Sequence, residues 1–299
     1  MIDWISYIFP TGIQNSLLAK TYDVSLMKRI IRGFSTIKTS INYELTVSSK
    51  SDRLICIIPG TAQTISSWIG HKKPMSRRHN LLQYETRGQG STRLSLEDCS
   101  LKTHVDDFLK LLDTLPTSMS SKVDLCGFSF GGRVALAIAA AAPSRVRKMV
   151  LTGVPAERTN RGLEILKGWK DMLHRDDLKS FMWQAMLDGH SESFLKRHEK
   201  MLSKWVDSSV SQNRAEAILA IVDQTHHEDM SSPYHSVRTV LGLLYVTNFT
   251  TKQQQTRYVL RKAFLTIPMM YYLSEEAKTR FQNPIKLLVL QTLEIGNSI

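Results

Sequence analysis

Residues 122–139 read KVDLCGFSFGGRVALAIA, and this stretch decides the fold. It opens with a short apolar run, Lys122 to Cys126, of strand character, and closes with an alanine-rich helical run from Gly131 to Ala142 that Pro143 ends. Between them stands Gly127-Phe128-Ser129-Phe130-Gly131, a G-x-S-x-G motif. The spacing has a physical reason. A serine on a tight strand-to-helix turn sits in a strained backbone, and side chains two residues before and two after it would clash, so Gly127 and Gly131 relieve the crowding. The Ser129 hydroxyl then stands at the C-terminal edge of the sheet. The backbone N–H of Phe130 belongs to a helix N-terminus and has no intrahelical partner, so it is free to stabilise an oxyanion. A glycine-rich turn whose serine merely caps a helix would carry the same letters. The apolar strand on one side and the helix on the other favour the catalytic reading.

Working outward, strand and helix patterns alternate from about residue 40 to 155. Ile37 to Val47 reads as a strand. Leu54 to Ile58 (LICII) is a continuous apolar run, as expected of a strand buried on both faces, and it stops at Pro59-Gly60. Asn80 to Glu85 is the next strand and ends at the turn RGQGS. Leu101 to Leu115 has amphipathic-helix spacing, and Lys148 to Gly153 is another strand. The alternation predicts an α/β architecture, a mostly parallel sheet with helices on both faces. Residues 1–34 are expected to form an N-terminal helical extension, 35–156 the first part of the core, 157–232 an inserted helical cap, and 233–299 the rest of the core. In that last part Val240 to Val246 and Ile267 to Leu273 read as strands, and Lys252 to Phe264 and Pro284 to Ile295 as helices.

This pattern resembles the capped α/β hydrolases: esterases, thioesterases, C–C bond hydrolases and related lyases. The resemblance implies further roles. Family members carry a second oxyanion donor after the strand matched here by Leu54 to Ile58. They usually have His-Gly there, where this chain has Pro59-Gly60, so the backbone N–H of Thr61 is the implied donor. Tyr84-Glu85-Thr86-Arg87-Gly88-Gln89-Gly90-Ser91 resembles the family's D-x-R-G-x-G-x-S turn, with Glu85 for aspartate, and is expected to shape the rim of the site. Gly131-Gly132-Arg133 is similar to the menaquinone-pathway lyases of this fold.

The family's chain order is serine, then an acid, then a histidine near the end. The last histidine here is His235. Two readings of the final residues stand open. In a complete but degenerate domain, Ala277 falls at the histidine position and Thr250 or Thr251 at the acid's. In a truncated or altered one, Leu287 to Leu290 is the acid-bearing strand. His226, His227 or His235 is a candidate substitute base, with Glu228 and Asp229 adjacent. His104, by contrast, reads as a helix-cap or surface residue. The resemblance implies a serine hydrolase of a carboxylic ester or thioester, the alternative being a catalytically impaired relative that binds a small acyl or aryl ligand. Trp169, Phe181, Met182, Trp183 and Met186 would line an apolar pocket in the cap or simply form its core.

Composition narrows the classes. The net charge is +12, but the basic residues are scattered in short runs such as Lys72-Lys73 and Arg77-Arg78, without interleaved aromatics. That is a solvated surface rather than a nucleic-acid site. No run approaches the roughly 18 apolar residues of a membrane span. Cys56, Cys99 and Cys126 show no paired spacing, which argues against disulfides or zinc and for a reducing, cytoplasmic setting. No metal or other cofactor is called for, and the expected ligand is a small acyl or aryl ester.

Overall fold

The computed structural model describes residues 29–34, 41–154, 160–190, 192–227, 230, 240–244 and 270–271, the strands at 29–34, 240–244 and 270–271 by their backbone. It holds β1 (Arg29–Phe34), β2 (Asn42–Val47), β3 (Leu54–Ile58), α1 (Ile69–Met75), β4 (Asn80–Tyr84), α2 (Leu101–Asp113), α3 (Thr117–Ser120), β5 (Val123–Phe128), α4 (Phe130–Ala141) and β6 (Val146–Thr152). Four helices follow, α5 (Asn160–His174), α6 (Leu178–Gly189), α7 (Glu192–Gln212) and α8 (Ala215–Thr225), and then β7 (Val240–Leu244) and β8 (Met270–Tyr271).

The strands form one sheet in the order β1-β2-β4-β3-β5-β6-β7-β8. β2 runs antiparallel to β1 and β4, and every other neighbouring pair is parallel. From β3 the chain steps outward to β4 and then back across β3 to β5. The strand order therefore reverses between β3 and β5, and their C-terminal ends form the crevice where α/β sheets bind ligands.

Why β3 lies centrally is plain from its side chains. Leu54, Ile55, Cys56, Ile57 and Ile58 are all buried. Side chains alternate across a strand, so Leu54, Cys56 and Ile58 join the main core with α2 and α4, while Ile55 and Ile57 pack on the other face with Leu81, Cys126, Val150, Trp68 and Met75. Each such aliphatic side chain contributes about 1.5–3 kcal/mol by leaving water.

Several expectations need adjusting. Residues 29–34, at the end of the segment expected to be helical, form β1 and pair with β2 from Arg29↔Val47 to Phe34↔Asn42. Residues 1–28 lie outside the described residues. Two of the late strands appear, as Val240–Leu244 and Met270–Tyr271. The expected helices at 252–264 and 284–295, and positions 250, 251, 277 and 287–290, lie outside the described residues. Residues 160–225 are helical throughout apart from short connections, in keeping with the sequence pattern. Among the described residues no helix is long and apolar enough to cross a membrane, and all three cysteines are free and buried.

His104 also differs from expectation. It lies within α2, only 2% exposed, because its position in the helix turns it inward with Val105, Phe108 and Leu111. Burial pushes its pKa down to about 3, so the native ring is neutral. A histidine that titrates near 6.5 when unfolded and near 3 when folded takes up protons preferentially in the unfolded state. Stability is therefore fully present above about pH 6.5 and falls as the pH drops toward 3, by a few kcal/mol on an order-of-magnitude basis. Urea unfolding of wild type and His104→Leu across this window checks it. The variant is expected to show the flatter pH dependence.

Candidate active site

The β5–α4 turn is built around one strained residue. Ser129 has φ 52° and ψ −118°, left-handed backbone that a β-carbon disfavours. It is held there from both sides. Its N–H donates to Thr152 O at 2.8 Å, and its carbonyl accepts the N–H of Gly132 at 2.9 Å and of Arg133 at 3.3 Å. The neighbours leave no room for side chains. A β-carbon on Gly127 would lie 2.5 Å from Gly132 Cα, and one on Gly131 would lie 2.1 Å from Ile58 O and 2.4 Å from Pro59 O. The expected need for glycine at both positions has this geometry behind it. Ser129 is half-buried, and its hydroxyl makes no helix-cap hydrogen bond. Phe130, the first residue of α4, has an N–H that the helix cannot satisfy.

The loop after β3 lies directly against this turn, since a β-carbon on Gly60 would lie 3.2 Å from Phe128 O. The loop is rigidly braced. Ala62, itself at φ 60°, donates its N–H to Gln89 Oε1, and Ala62 O accepts from Asn213 Nδ2 at 3.1 Å. Thr64 O–H donates to Gln212 Oε1 at 2.9 Å. The turn after β4 supplies the frame. Glu85 accepts from Asn42 Nδ2 at 2.8 Å, from Ile65 N at 3.2 Å and from Ser91 N at 2.7 Å. Arg87 grips Asp107 with two bonds at 2.9 and 2.8 Å. A β-carbon at Gly90 would sit 2.3 Å from the Glu85 carboxyl, so this turn also requires glycine. Glu85 thus holds the loops after β3 and β4 together.

Of the two candidate bases among the described residues, His226 and His227, one reaches this neighbourhood. His226, immediately after α8, is 2% exposed and puts Nε2 3.0 Å from Thr61 Oγ1. Its ring stacks on Phe130 at 5.7 Å and 15°, and Trp169 meets it at 6.4 Å. The tautomer follows from the neighbours. Thr225 Oγ1 spends its one proton on Ile221 O at 2.7 Å, so it accepts from His226 Nδ1 at 2.9 Å. In the neutral ring Nε2 is then the acceptor, and Thr61 donates to it. His227 is exposed; His235, Glu228 and Asp229 lie outside the described residues.

Two supporting residues, Thr225 and Asn213, escaped the sequence reading, and a third, Arg133, entered it only as part of the Gly-Gly-Arg resemblance. Thr225 orients the imidazole. Arg133, buried at 2% exposure, donates to Thr225 O at 2.8 Å and so ties α4 to the end of α8. Asn213 bridges Ala62 and Gly90. Only the Thr225-His226 adjacency carried a local hint; the other contacts join residues far apart in the chain. Of the aromatic set in the helical segment, Phe181 and Met182 are buried core, with Trp169, Trp183 and Met186 packed against them. Among the described residues no His, Cys, Asp and Glu cluster is arranged to hold a metal ion.

Chemically, a serine hydroxyl at a helix N-terminus, a neighbouring loop amide and an imidazole within one hydroxyl of that loop suit acyl-group chemistry. The comparisons agree at the level of the fold. A family model described as alpha/beta hydrolase fold matches residues 53–217. Pimeloyl-[acyl-carrier protein] methyl ester esterase of Nitrosomonas europaea is 30% identical over 97 residues, 32% of this chain and 35% of that protein. 2-hydroxymuconate semialdehyde hydrolase of a Pseudomonas strain is 26% identical over 184 residues, 54% of this chain and 64% of that protein. This chain therefore spans less than two thirds of the length of each. Among solved structures, the enol-lactonase of Burkholderia xenovorans LB400 superposes with a TM-score of 0.62 at 17% identity, over 72% of this chain and 80% of that one. An alpha/beta hydrolase enzyme from a deep-sea metagenome library gives 0.60 at 21%, over 70% and 77%. With the sheet order, the strained turn and a family model covering more than half its residues all in accord, the chain belongs to the alpha/beta hydrolase fold family.

Proposed function

We propose that this protein is a serine hydrolase of small carboxylic esters or thioesters, with Ser129 as nucleophile. The observation that carries the reading is the left-handed backbone at Ser129, held against the β3 loop at the point where strand order reverses. Strain of this kind persists only where the surroundings enforce it, and it is what lifts a hydroxyl clear of a sheet. In the proposed reaction Ser129 Oγ attacks the acyl carbonyl and its proton passes to His226 Nε2. The N–H groups of Phe130 and Thr61 receive the oxyanion. The tetrahedral adduct collapses, the alcohol or thiol leaves with the proton from His226, and water then releases the acid from the acyl-serine by the same route in reverse. Helices α5 to α8 act as a cap, with Trp169 beside His226 offering an apolar wall for an acyl or aryl group.

His226 in this role has a hydroxyl, not a carboxylate, behind Nδ1. A neutral partner fixes the tautomer but stabilises the imidazolium less, so turnover is expected to be slow. His226→Gln is expected to lower kcat roughly 10²-fold, with KM little changed, as measured with a p-nitrophenyl acyl ester.

A second reading, ligand binding without turnover, draws support from the engagement of His226 Nε2 with Thr61 rather than Ser129. Labelling with a fluorophosphonate probe separates the two. The hydrolase reading expects covalent labelling of wild type that Ser129→Ala abolishes. Unlabelled wild type, or labelling that persists in Ser129→Ala, overturns it.

A further inference from the structure

His226 is a base already in use. Its Nε2 accepts the Thr61 hydroxyl at 3.0 Å, while Nδ1 donates to Thr225 Oγ1 at 2.9 Å. A neutral imidazole accepts only at the nitrogen that carries no proton. Thr61 therefore occupies the position to which Ser129 would otherwise pass its proton. The ring is held in place: it is 2% exposed, lies on the Phe130 ring at 5.7 Å and 15°, and meets Trp169 at 6.4 Å.

Thr61 is held as firmly. The β3 loop closes as a turn over Gly60 to Gln63, with Gln63 N–H donating to Gly60 O at 3.2 Å and Gly60 N–H donating to Gln63 Oε1 at 2.8 Å. Thr61 and Ala62 are its two central residues, and Ala62 is pinned at both backbone groups by Gln89 and Asn213. This turn and the imidazole bracket Ser129. Gly60, just before Thr61, lies against the carbonyl of Phe128, and His226 rides on the ring of Phe130. A hydroxyl both donates and accepts. With its proton committed to Nε2, the Thr61 oxygen keeps a lone pair for a second donor, and Thr61 is only partly buried. The Ser129 hydroxyl is not spent on capping α4.

We propose that the Thr61 hydroxyl relays the proton between Ser129 and His226, an inference that rests on the serine hydrolase reading. The link from Ser129 to Thr61 closes when an acyl carbonyl seats on the turn, since catalytic hydrogen bonds are often long in the free enzyme and tighten with substrate. As the Ser129 oxygen bonds to the acyl carbon, its proton moves to Thr61 Oγ1 and the proton of Thr61 moves to His226 Nε2. The carbonyl π pair becomes the oxyanion, received by the N–H groups of Phe130 and Thr61. On collapse the imidazolium returns its proton to Thr61, and Thr61 delivers one to the departing alcohol or thiol. Thr61 ends each step as a neutral hydroxyl, so no threonine alkoxide has to be stabilised.

Thr61→Val separates the two tasks of this residue, because it removes the hydroxyl and keeps the N–H. It is expected to lower kcat/KM for a p-nitrophenyl acyl ester about 10²-fold. Thr61→Ser is expected to restore most of that loss, and Thr61→Val combined with His226→Gln to stay within a few-fold of either single variant. A hydroxyl that only orients the imidazole would give similar losses. The deciding measurement, which needs no variant, is therefore kcat/KM of the wild type in mixtures of H₂O and D₂O. Two protons moving together bow the plot against deuterium fraction downward, whereas a single proton gives a straight line. A bowed plot is expected for wild type and for Thr61→Ser. A straight plot, or Thr61→Val as active as wild type, overturns the relay and leaves Ser129 as nucleophile. A fluorophosphonate adduct on Thr61 overturns it by making Thr61 the nucleophile. Labelling that does not depend on Ser129 removes the hydrolase reading and the relay with it.

Discussion

Alanine at position 129 is expected to lower kcat for p-nitrophenyl ester hydrolysis about 10²-fold, less than for a serine hydrolase with a full triad. Complete removal of a triad costs roughly 10⁶ in kcat, and loss of the acid alone costs roughly 10⁴ of that. With Thr225 in the acid's place the serine and histidine together retain the difference, about two orders of magnitude. Beneath that lies the contribution of the oxyanion donors and binding, roughly 10³–10⁴ over water, which Ser129→Ala leaves in place. Because serine and base act as a unit, the His226→Gln loss is not additive with it. The double variant is expected within a few-fold of either single variant. Steady-state rates for the four proteins test this. Additive losses would show that His226 acts elsewhere than on Ser129.

Gly131→Ala is expected to be the most destabilising single-methyl change in the described structure. The new β-carbon meets backbone carbonyl oxygens at 2.1 and 2.4 Å, on a buried central strand that cannot yield. Overpacking against flexible side chains costs about 1–3 kcal/mol. Against fixed backbone the cost is expected at or above the top of that range, a large part of the roughly 5–15 kcal/mol that holds a domain folded. Gly168 in α5 is the control. A β-carbon there meets nothing within 4 Å, so Gly168→Ala is expected to stabilise by about 0.5–1 kcal/mol through helix propensity. Urea midpoints for the three proteins decide it. Equal midpoints for wild type and Gly131→Ala would mean that α4 does not lie against the β3 loop as described.

The elements that could be read from the chain were those whose cause is local. G-x-S-x-G states its own steric demand, and LICII, stopped by Pro59-Gly60, reads as a strand buried on both faces. The six residues Arg29–Phe34 misled because RIIRGF is too short to show a period, and its strand state comes from pairing with β2. His104 misled for a related reason: the helix pattern was visible, but not which side the core would take. At the candidate site Ser129, Phe130 and Thr61 were legible from motif position. The choice of His226 over His227 was not, since adjacent histidines differ only in which one the end of α8 turns inward.

Arg133 ties two parts of the molecule that the sequence sets 92 positions apart. Its guanidinium grows from the helix that begins at the strained serine and ends on the last carbonyl of α8. Should the four helices swing to admit a substrate, this tether makes α8 the stationary end of the door. Gln212 at the end of α7 is likewise bonded to Thr64 and Ser66, so the gap would have to open along α6 and the start of α7, while the imidazole keeps its station whether the doorway is shut or ajar.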